Sequence, residues 1–297
     1  MRLLSGGLLA VAAVLVLMGP WVAAKLFEGR APARTVATFQ LLALVGMLAL
    51  PEVLLACFAV VSTVAVARWS GIALAVAYPG WVGWVALRTT RVTARFAMTS
   101  VSTTRPSEVD DSVRVLATTK PVAYTVGGSV VISSGLLDLL DRAERNAVLA
   151  HEFAHVRLGH HRLLLFARVA AGTLGRIVPA VRRAHASLAR ELEAIADQAA
   201  GESGTALARA LAKAVLAGNG IAVAPALISG SERDLAYRLD RLTGDAPTPD
   251  RRVVAKWAIA LLVVALLVIL AVTVRPAGVA TIPAAIAIGW LCRRAVR

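Results

Sequence analysis

The stretch His151-Glu152-Phe153-Ala154-His155 decides how the rest of the chain is interpreted. In a helix, His151 and His155 lie one turn apart on the same face, so both imidazoles can reach one metal ion. Glu152 lies beside them and can take a proton from a water that a bound Zn²⁺ acidifies, then pass it to a leaving amine. The pattern therefore indicates metallopeptidase chemistry. Five such residues also occur by chance, and a helix that carries two histidines need not bind metal.

The residues around the motif predict a well-defined helix. Asp141-Arg142-Ala143-Glu144 has the form of a capping box, and Asp138 is an alternative start. Small and apolar residues then recur along the segment as far as Gly159, a typical helix stop. The metal-binding pattern consequently falls inside a helix with its own start and stop signals.

A second helical stretch, Arg190 to Asp197, can complete the metal site. A zinc ion held by two histidines needs a third protein ligand, and the His₂Glu set leaves one position open for water. We expect Glu193 to supply that ligand and Asp197, four residues later on the same face, to orient one histidine ring. Glu191 is the rival ligand, and a solvated Glu193 is the alternative. The sequence predicts one Zn²⁺ per chain.

The composition places the chain in a membrane. It has 297 residues, is 58% hydrophobic and has a mean hydropathy of +0.72, which is too apolar for an ordinary soluble protein. The net charge of +14 comes from basic residues spread over the whole chain, without a zinc-finger spacing or an aromatic stacking platform, so no nucleic acid is expected. The only two cysteines, Cys57 and Cys292, lie in apolar segments and support no disulfide framework or cysteine metal site.

About five transmembrane helices are predicted, three before the metal motif and two after it. A cleaved signal peptide is the alternative for the first, and Glu52 in the second is a functional candidate of low weight. The segment from Leu163 to Val181 contains two arginines and is expected to lie on the membrane or pack on the motif helix. The predicted spans are Leu3 to Ala24, Val36 to Val66, Ile72 to Leu87, Trp257 to Val274 and Ala277 to Leu291.

The spans divide the chain into a membrane region at residues 1–88, a metallopeptidase domain at 89–252 and a membrane hairpin at 253–297. The basic clusters that flank the spans all fall on one side if the N-terminus is external. The sequence thus predicts a multi-pass protein of the cell membrane with a cytoplasmic catalytic domain. Within that domain, Val113 to Ala117 and Val122 to Ile132 read as two strands, the second bent at Gly127-Gly128.

The order of these features resembles the membrane-embedded gluzincin metallopeptidases, both the antirepressor-type peptidases that include β-lactam sensors and the heat-shock and CAAX-type endopeptidases. A strand is followed by Gly135-Leu136-Leu137, the His-Glu-x-x-His motif and Glu193-x-x-Ala196-Asp197. The resemblance implies an α+β zincin-like domain in which His151, His155 and Glu193 bind zinc and Glu152 is the catalytic base. It also implies an edge strand on which substrate adds as an extra strand, formed by Ala123, Tyr124, Thr125, Val126 and Gly127.

The chain also departs from those families. No His-Pro pair precedes Arg238, so Arg238 and Arg241 are interpreted as a charged helix face. No penicillin-binding domain follows the last span, so a β-lactam receptor role is not expected. Tyr124 and Tyr237 are candidates for stabilising an oxyanion, although packed tyrosines are the simpler expectation. The remaining histidines are expected at the surface or the membrane interface; they are His160, His161 and His185.

These features together predict a zinc-dependent membrane endopeptidase that hydrolyses protein or peptide substrates at the cytoplasmic face, in regulation or quality control. The alternative is a membrane signalling or scaffold protein with a structural metal site and no proteolytic activity. The expected partners are the substrate and the lipid bilayer. The sequence does not indicate an oligomeric state.

Overall fold

The computed structural model describes residues 31–62, 64–107, 112–126, 128–199, 204–217 and 232–243, together with Gly19. The predicted span Leu3 to Ala24, apart from Gly19, and the whole of 253–297 lie outside the described residues, as does Gly127. The described elements are helices and a small sheet. In chain order they are α1 (Ala33–Val61), α2 (Ala65–Ser102), β1 (Thr104–Pro106), β2 (Val113–Leu116), β3 (Ala123–Val126), β4 (Ser129–Ser133), α3 (Ser134–Leu139), α4 (Arg142–Arg157), α5 (His160–Leu174), α6 (Pro179–Ala199), α7 (Gly204–Leu216) and α8 (Glu232–Thr243).

Two helices in the described part of the chain are long and apolar enough to cross a membrane, namely Ala33–Leu55 within α1 and Ala65–Ser102, the whole of α2. Helix α1, which corresponds to the predicted span from Val36 to Val66, ends earlier, at Val61. Helix α2 contains the predicted span from Ile72 to Leu87 and continues to Ser102. Arginine is a good helix former, so the charged residues after Leu87 do not end the helix. The five-span arrangement stays a prediction.

A four-stranded sheet has the order β1-β2-β4-β3, with β2 and β4 parallel and the other pairs antiparallel. The single predicted strand from Val122 to Ile132 is wrong, because β3 and β4 form a hairpin in which Val126 pairs with Ser129. Gly128 has a φ of 85°, which glycine adopts without strain, and this allows the chain to reverse where a bend was predicted. The hairpin leaves β3 at the edge of the sheet.

The predicted start of the motif helix is confirmed. The amide of Glu144 donates to Asp141 Oδ1 at 2.9 Å, and the amide of Asp141 donates to Glu144 Oε2 at 3.0 Å, which completes a capping box. Helix α4 ends at Arg157, and Gly159, with a φ of 64°, reverses the chain into α5. Both ends of the motif helix are therefore fixed by local interactions.

Two apolar cores hold these elements together. In the first, the N-terminal half of α1 packs against α5 and α6, with a buried helical stripe that includes Ala33, Ala37 and Leu44. In the second, one face of the sheet packs against α3, α4 and α7. The other face of the sheet meets the C-terminal half of α2 through a contact between Tyr124 and Phe96. Helix α4 thus packs on one face of the sheet, whereas helix α6 packs against α1.

The segment from Leu163 to Val181 is not one helix. It is divided between α5 and the start of α6, with a turn between them. Its buried residues pack in the same core as α1, among them Leu164, Ala167, Ala170 and Val181. The segment therefore supports the helix that carries Glu193 and Asp197.

Candidate metal centre

Helix α4 presents the sequence motif to the interior of the protein. His151 and Glu152 are buried, and the side chain of His155 is 11% exposed. The two imidazole rings are one helical turn apart, with centroids separated by 4.8 Å. Because the capping box fixes where α4 begins, it also fixes which face of the helix carries the histidines.

Helix α6 brings Glu193 against both rings. The Nε2 atoms of His151 and His155 lie 3.2 Å apart. Each is 3.4 Å from a carboxylate oxygen of Glu193. These residues form a group of three potential metal ligands in the described part of the chain.

The spacing of the three donors fits a zinc ion. Bonds of about 2.0–2.2 Å in a tetrahedral arrangement separate neighbouring ligand atoms by roughly 3.3–3.5 Å, which is close to the distances among these side chains. No hydrogen bond of good geometry reaches either buried carboxylate oxygen of Glu193, and the ionic contact from Arg238 reaches only Oε2. Buried oxygens normally have a hydrogen-bond partner, and a cation between Glu193 and the two histidines would compensate for its absence.

A chain of polar contacts holds the ring nitrogen of His151 that does not face Glu193. Its Nδ1 atom lies 2.9 Å from Asp197 Oδ1. The guanidinium of Arg238, on α8, donates to both oxygens of Asp197, through Nε at 2.8 Å and Nη2 at 2.6 Å. Arg238 Nη1 also lies 3.1 Å from Glu193 Oε2. One arginine therefore contacts both Glu193 and Asp197.

The charges in this cluster depend on one another. Burial by itself raises the pKa of Asp197, but Arg238 and His151 lower it below its usual range. The pKa of Glu193 is likewise lowered, because His155, Arg238 and His151 outweigh the effect of burial. Both carboxylates are ionised at neutral pH. Two anions face a single permanent cation, Arg238, so the cluster favours a second positive charge, either a proton on His151 or a metal ion.

The two histidines differ in protonation when no metal is bound. Burial lowers the pKa of His151, but the neighbouring carboxylates of Asp197 and Glu193 outweigh that effect and raise the pKa to about 9. Burial lowers the pKa of His155 to about 4, against the opposing effect of Glu193. Metal binding requires both rings to be neutral at the ligating nitrogen, so a metal ion replaces a proton at His151.

Glu152 is held between α4 and the sheet. The Thr125 hydroxyl donates to Glu152 Oε2 at 2.8 Å. Strand alternation points Thr125 towards α4, whereas Tyr124 points to the opposite face of the sheet, where it packs against Phe96. Burial raises the pKa of Glu152, while the charge on His151 and the bond from Thr125 oppose that shift. A carboxylate with a raised pKa is suited to proton transfer near neutral pH.

Several other predicted candidates lie apart from the metal ligands. Glu191, the rival ligand, is buried and accepts a hydrogen bond from the Tyr237 hydroxyl at 2.7 Å. Glu191 and Tyr237 therefore form a hydrogen-bonded pair. The contact gives Glu191 a partner other than a metal and Tyr237 a partner other than an oxyanion. His161 is exposed, as expected.

Two residues in the cluster were assigned to the wrong environment from sequence. Arg238 was interpreted as part of a charged helix face, yet it is 8% exposed and bound to Asp197. A signal was available, because Arg238 falls on the apolar stripe formed by Leu235, Leu239 and Leu242 at helical spacing. His160 was expected at the surface or the membrane interface but is 2% exposed, with Nδ1 3.0 Å from Nδ1 of His155. No local pattern distinguishes it from His161.

The buried contact between Arg238 and Asp197 predicts a large effect on stability. Replacing Arg238 with Ala removes the permanent cation beside the buried carboxylates of Glu193 and Asp197 and should cost about 3–5 kcal/mol. We expect the Tm of the protein, measured in detergent with a chelator present, to fall by on the order of 10 °C. Arg182→Ala, at an exposed position on α6, is the matched control and should change the Tm little. Equal Tm values for the two variants would contradict the pairing.

The amino-acid sequence of the chain matches a known protein family. The model of peptidase family M48 matches residues 86–246, more than half of the chain. A curated relative, the "Protease HtpX homolog" of Dictyoglomus thermophilum (strain ATCC 35947 / DSM 3960 / H-6-12), is 42% identical over 59 residues. That match covers 18% of this chain and 20% of the relative, so the chain spans about a fifth of that relative's length. No solved structure matches the chain. The family match confirms the resemblance to metallopeptidases, and the chain belongs to peptidase family M48.

Proposed function

We propose that this protein is a zinc-dependent endopeptidase of the gluzincin type, acting on protein or peptide substrates in a membrane. The observation that carries the proposal is the convergence of His151, His155 and Glu193, with Glu152 buried beside them. Within the described residues the group contains three ligands, the number found in catalytic zinc sites, whereas structural sites have four. Family M48 is a family of peptidases, which agrees with a catalytic site.

His151, His155 and Glu193 would hold the zinc ion, which would act as a Lewis acid towards a carbonyl group and make a bound water more acidic. Glu152 is the general base: it takes a proton from water as the scissile carbonyl is attacked and delivers that proton to the departing amine nitrogen. The Thr125 hydroxyl binds Oε2 of Glu152 and so keeps the carboxylate in one orientation. Asp197 and Arg238 hold His151 in place during this reaction.

The substrate backbone binds along β3 as an additional strand. β3 is the last strand in the sheet order and, in the part of the chain that the structure describes, pairs only with β4. A peptide added there would use main-chain hydrogen bonds, as in other cases of strand addition. The contact between Thr125 and Glu152 supports this placement, because it brings the edge of the sheet directly against the proposed base. The segment from Ala123 to Gly127 is accordingly the proposed substrate strand.

The proposed enzyme lies in the cell membrane, with the apolar hairpin of α1 and α2 crossing it and the metal centre on the cytoplasmic side. From Ala65 to Leu87, α2 rises by about 34 Å, similar to the ~30 Å hydrocarbon thickness of a bilayer. Trp81 and Trp84 stack near the end of this length, with ring centroids 5.0 Å apart. The basic residues that follow are exposed on α2, as the cytoplasmic end of a span requires; they are Arg88, Arg91 and Arg95.

The proposed domain boundaries remain those of the sequence: a membrane region at 1–88, the peptidase domain at 89–252 and a membrane hairpin at 253–297.

A cytoplasmic active site next to the bilayer suits either the regulatory cleavage of a cytoplasmic protein or the removal of damaged membrane proteins. Comparing the proteomes of cells that express the wild type or the Glu152→Gln variant would identify the proteins cleaved. If no protein differs in abundance or length, the proposed proteolytic role is wrong.

Replacing Glu152 with Gln should abolish peptide cleavage without releasing the metal. The amide cannot accept the proton, so we expect kcat to fall by about 10²–10⁴-fold. Zinc content, measured by atomic absorption on the protein purified in detergent, should stay near one ion per chain. Wild-type activity in this variant would refute Glu152 as the base. If the wild-type protein holds zinc but cleaves neither casein nor itself, the metal is structural.

Glu193→Gln and Glu191→Gln form a matched pair that tests the third ligand. Both residues are buried on α6, but only Glu193 lies against the histidines. We expect Glu193→Gln to weaken zinc binding at least 10-fold in a chelator competition, since the anionic ligand is lost. Glu191→Gln should keep the wild-type zinc affinity. The reverse order of affinities would assign the ligand role to Glu191.

The topology can be tested with two single-cysteine variants in a chain that lacks Cys57 and Cys292. Val64→Cys lies in the turn between α1 and α2, and Arg95→Cys lies beyond the proposed crossing; both positions are exposed. We expect a membrane-impermeant maleimide to label position 64 on intact cells, and position 95 only after the cells are lysed. Labelling of position 95 on intact cells would place the metal centre outside the cytoplasm.

A further inference from the structure

His160 is a buried titratable residue that the proposed mechanism does not use. It is the first residue of α5 and directly follows the reversal of the chain at Gly159. Its Nδ1 atom lies 3.0 Å from Nδ1 of His155. The two rings meet edge to face, with an interplanar angle of 85°. His160 therefore contacts the side of the His155 ring that faces away from Glu193.

The break at Gly159 makes this contact possible. In a continuous helix, residues five apart point about 140° away from each other, so their side chains cannot meet. Gly159 has a φ of 64°, which ends α4 and returns the chain so that α5 begins beside His155. An ordinary residue adopts this backbone conformation only with strain. The local structure thus places His160 at this position with a well-defined orientation.

The donor and acceptor roles in the pair follow from the metal site. His155 presents Nε2 to Glu193 and His151, so a metal ligand at Nε2 leaves the ring proton on Nδ1. That proton can be donated only to a lone pair, so Nδ1 of His160 must be the acceptor. His160 then carries its own proton on Nε2.

We propose that His160 is the positioning residue for the metal ligand His155, accepting a hydrogen bond from its Nδ1–H. The inference rests on the proposed zinc site and names the partner that holds its second histidine. Ligand histidines generally donate their other N–H to a nearby acceptor, which fixes the ring orientation and the tautomer. Asp197 has this role for His151, and in the described part of the chain His160 is the group in that position for His155.

The two ligands are consequently held by partners of different charge. Asp197 is an anion and is itself fixed by Arg238. An imidazole that accepts a hydrogen bond at Nδ1 and carries its proton on Nε2, as proposed for His160, is neutral. A second carboxylate beside His155 would add negative charge to a cluster that already contains Glu193 and Asp197. A neutral acceptor orients the ring without that addition.

The test compares His160→Ala, His160→Asn and His160→Gln in the full-length protein purified in detergent. The Oδ1 atom of Asn can occupy the place of Nδ1, whereas the amide of Gln reaches further, towards the place of Nε2. We expect His160→Ala and His160→Gln to weaken zinc binding by about 10–100-fold in a chelator competition. His160→Asn should stay within a few-fold of the wild type. His161→Ala, the exposed neighbour, is the matched control and should bind zinc as the wild type does.

A spectroscopic measurement separates positioning from simple folding effects. With Co²⁺ in place of zinc, the visible absorption bands report the ligand geometry, and we expect His160→Ala and His160→Gln to change them while His160→Asn preserves them. Wild-type affinity and spectra in His160→Ala would overturn the inference, and so would equal losses in the Asn and Gln variants. If the wild-type protein binds neither Zn²⁺ nor Co²⁺, the proposed metal site itself is wrong.

Discussion

The ionised carboxylates of Glu193 and Asp197 are buried four residues apart on α6, and every element around them has to supply compensating charge or hydrogen bonds. An unpaired buried carboxylate costs several kcal/mol, so α6 cannot pack inside the protein without partners at both positions. Arg238 on α8 and His151 on α4 supply them. The same contacts that allow α6 to be buried also bring a carboxylate of the right spacing to the two histidines. The contacts that stabilise the buried carboxylates are thus the same contacts that form the proposed metal site.

The cluster also explains why α8 belongs to the peptidase domain. Arg238 is attached to α6 through two hydrogen bonds to Asp197, and the neighbouring Tyr237 is attached through Glu191. Arg241 on the same helix donates to the carbonyl oxygen of Ala31, at the start of α1. One short helix therefore connects the metal centre to the beginning of a long apolar helix. A displacement of α1 would move the arginine that holds Asp197.

The parts of the site that could be predicted from sequence are those set by local periodicity. The capping box, the helical spacing of His151 and His155 and the spacing of Glu193 and Asp197 all depend on residues within a turn of each other. The β3–β4 hairpin was missed because Gly127-Gly128 was interpreted as a bend or bulge within one strand, and a hairpin differs from a bulge only in which residues pair. The contact of His160 depends on how Gly159 redirects the chain, which residue identity alone does not specify. For Arg238 a signal existed, a charge on an apolar stripe, but its partner lies 41 residues away in the chain.

The packing of α1 links the location of the enzyme to its chemistry. Its first half is buried against α5 and α6, while its second half extends with α2 as an apolar hairpin. Tyr78 on α2 donates to the backbone of Leu48 at 2.9 Å, which joins the two helices where the buried half of α1 ends. If the hairpin crosses the bilayer as proposed, the helix carrying Glu193 begins close to the membrane surface. A substrate strand added to β3 would then lie beside the part of α2 that follows the proposed crossing, because Phe96 of α2 contacts Tyr124 of β3.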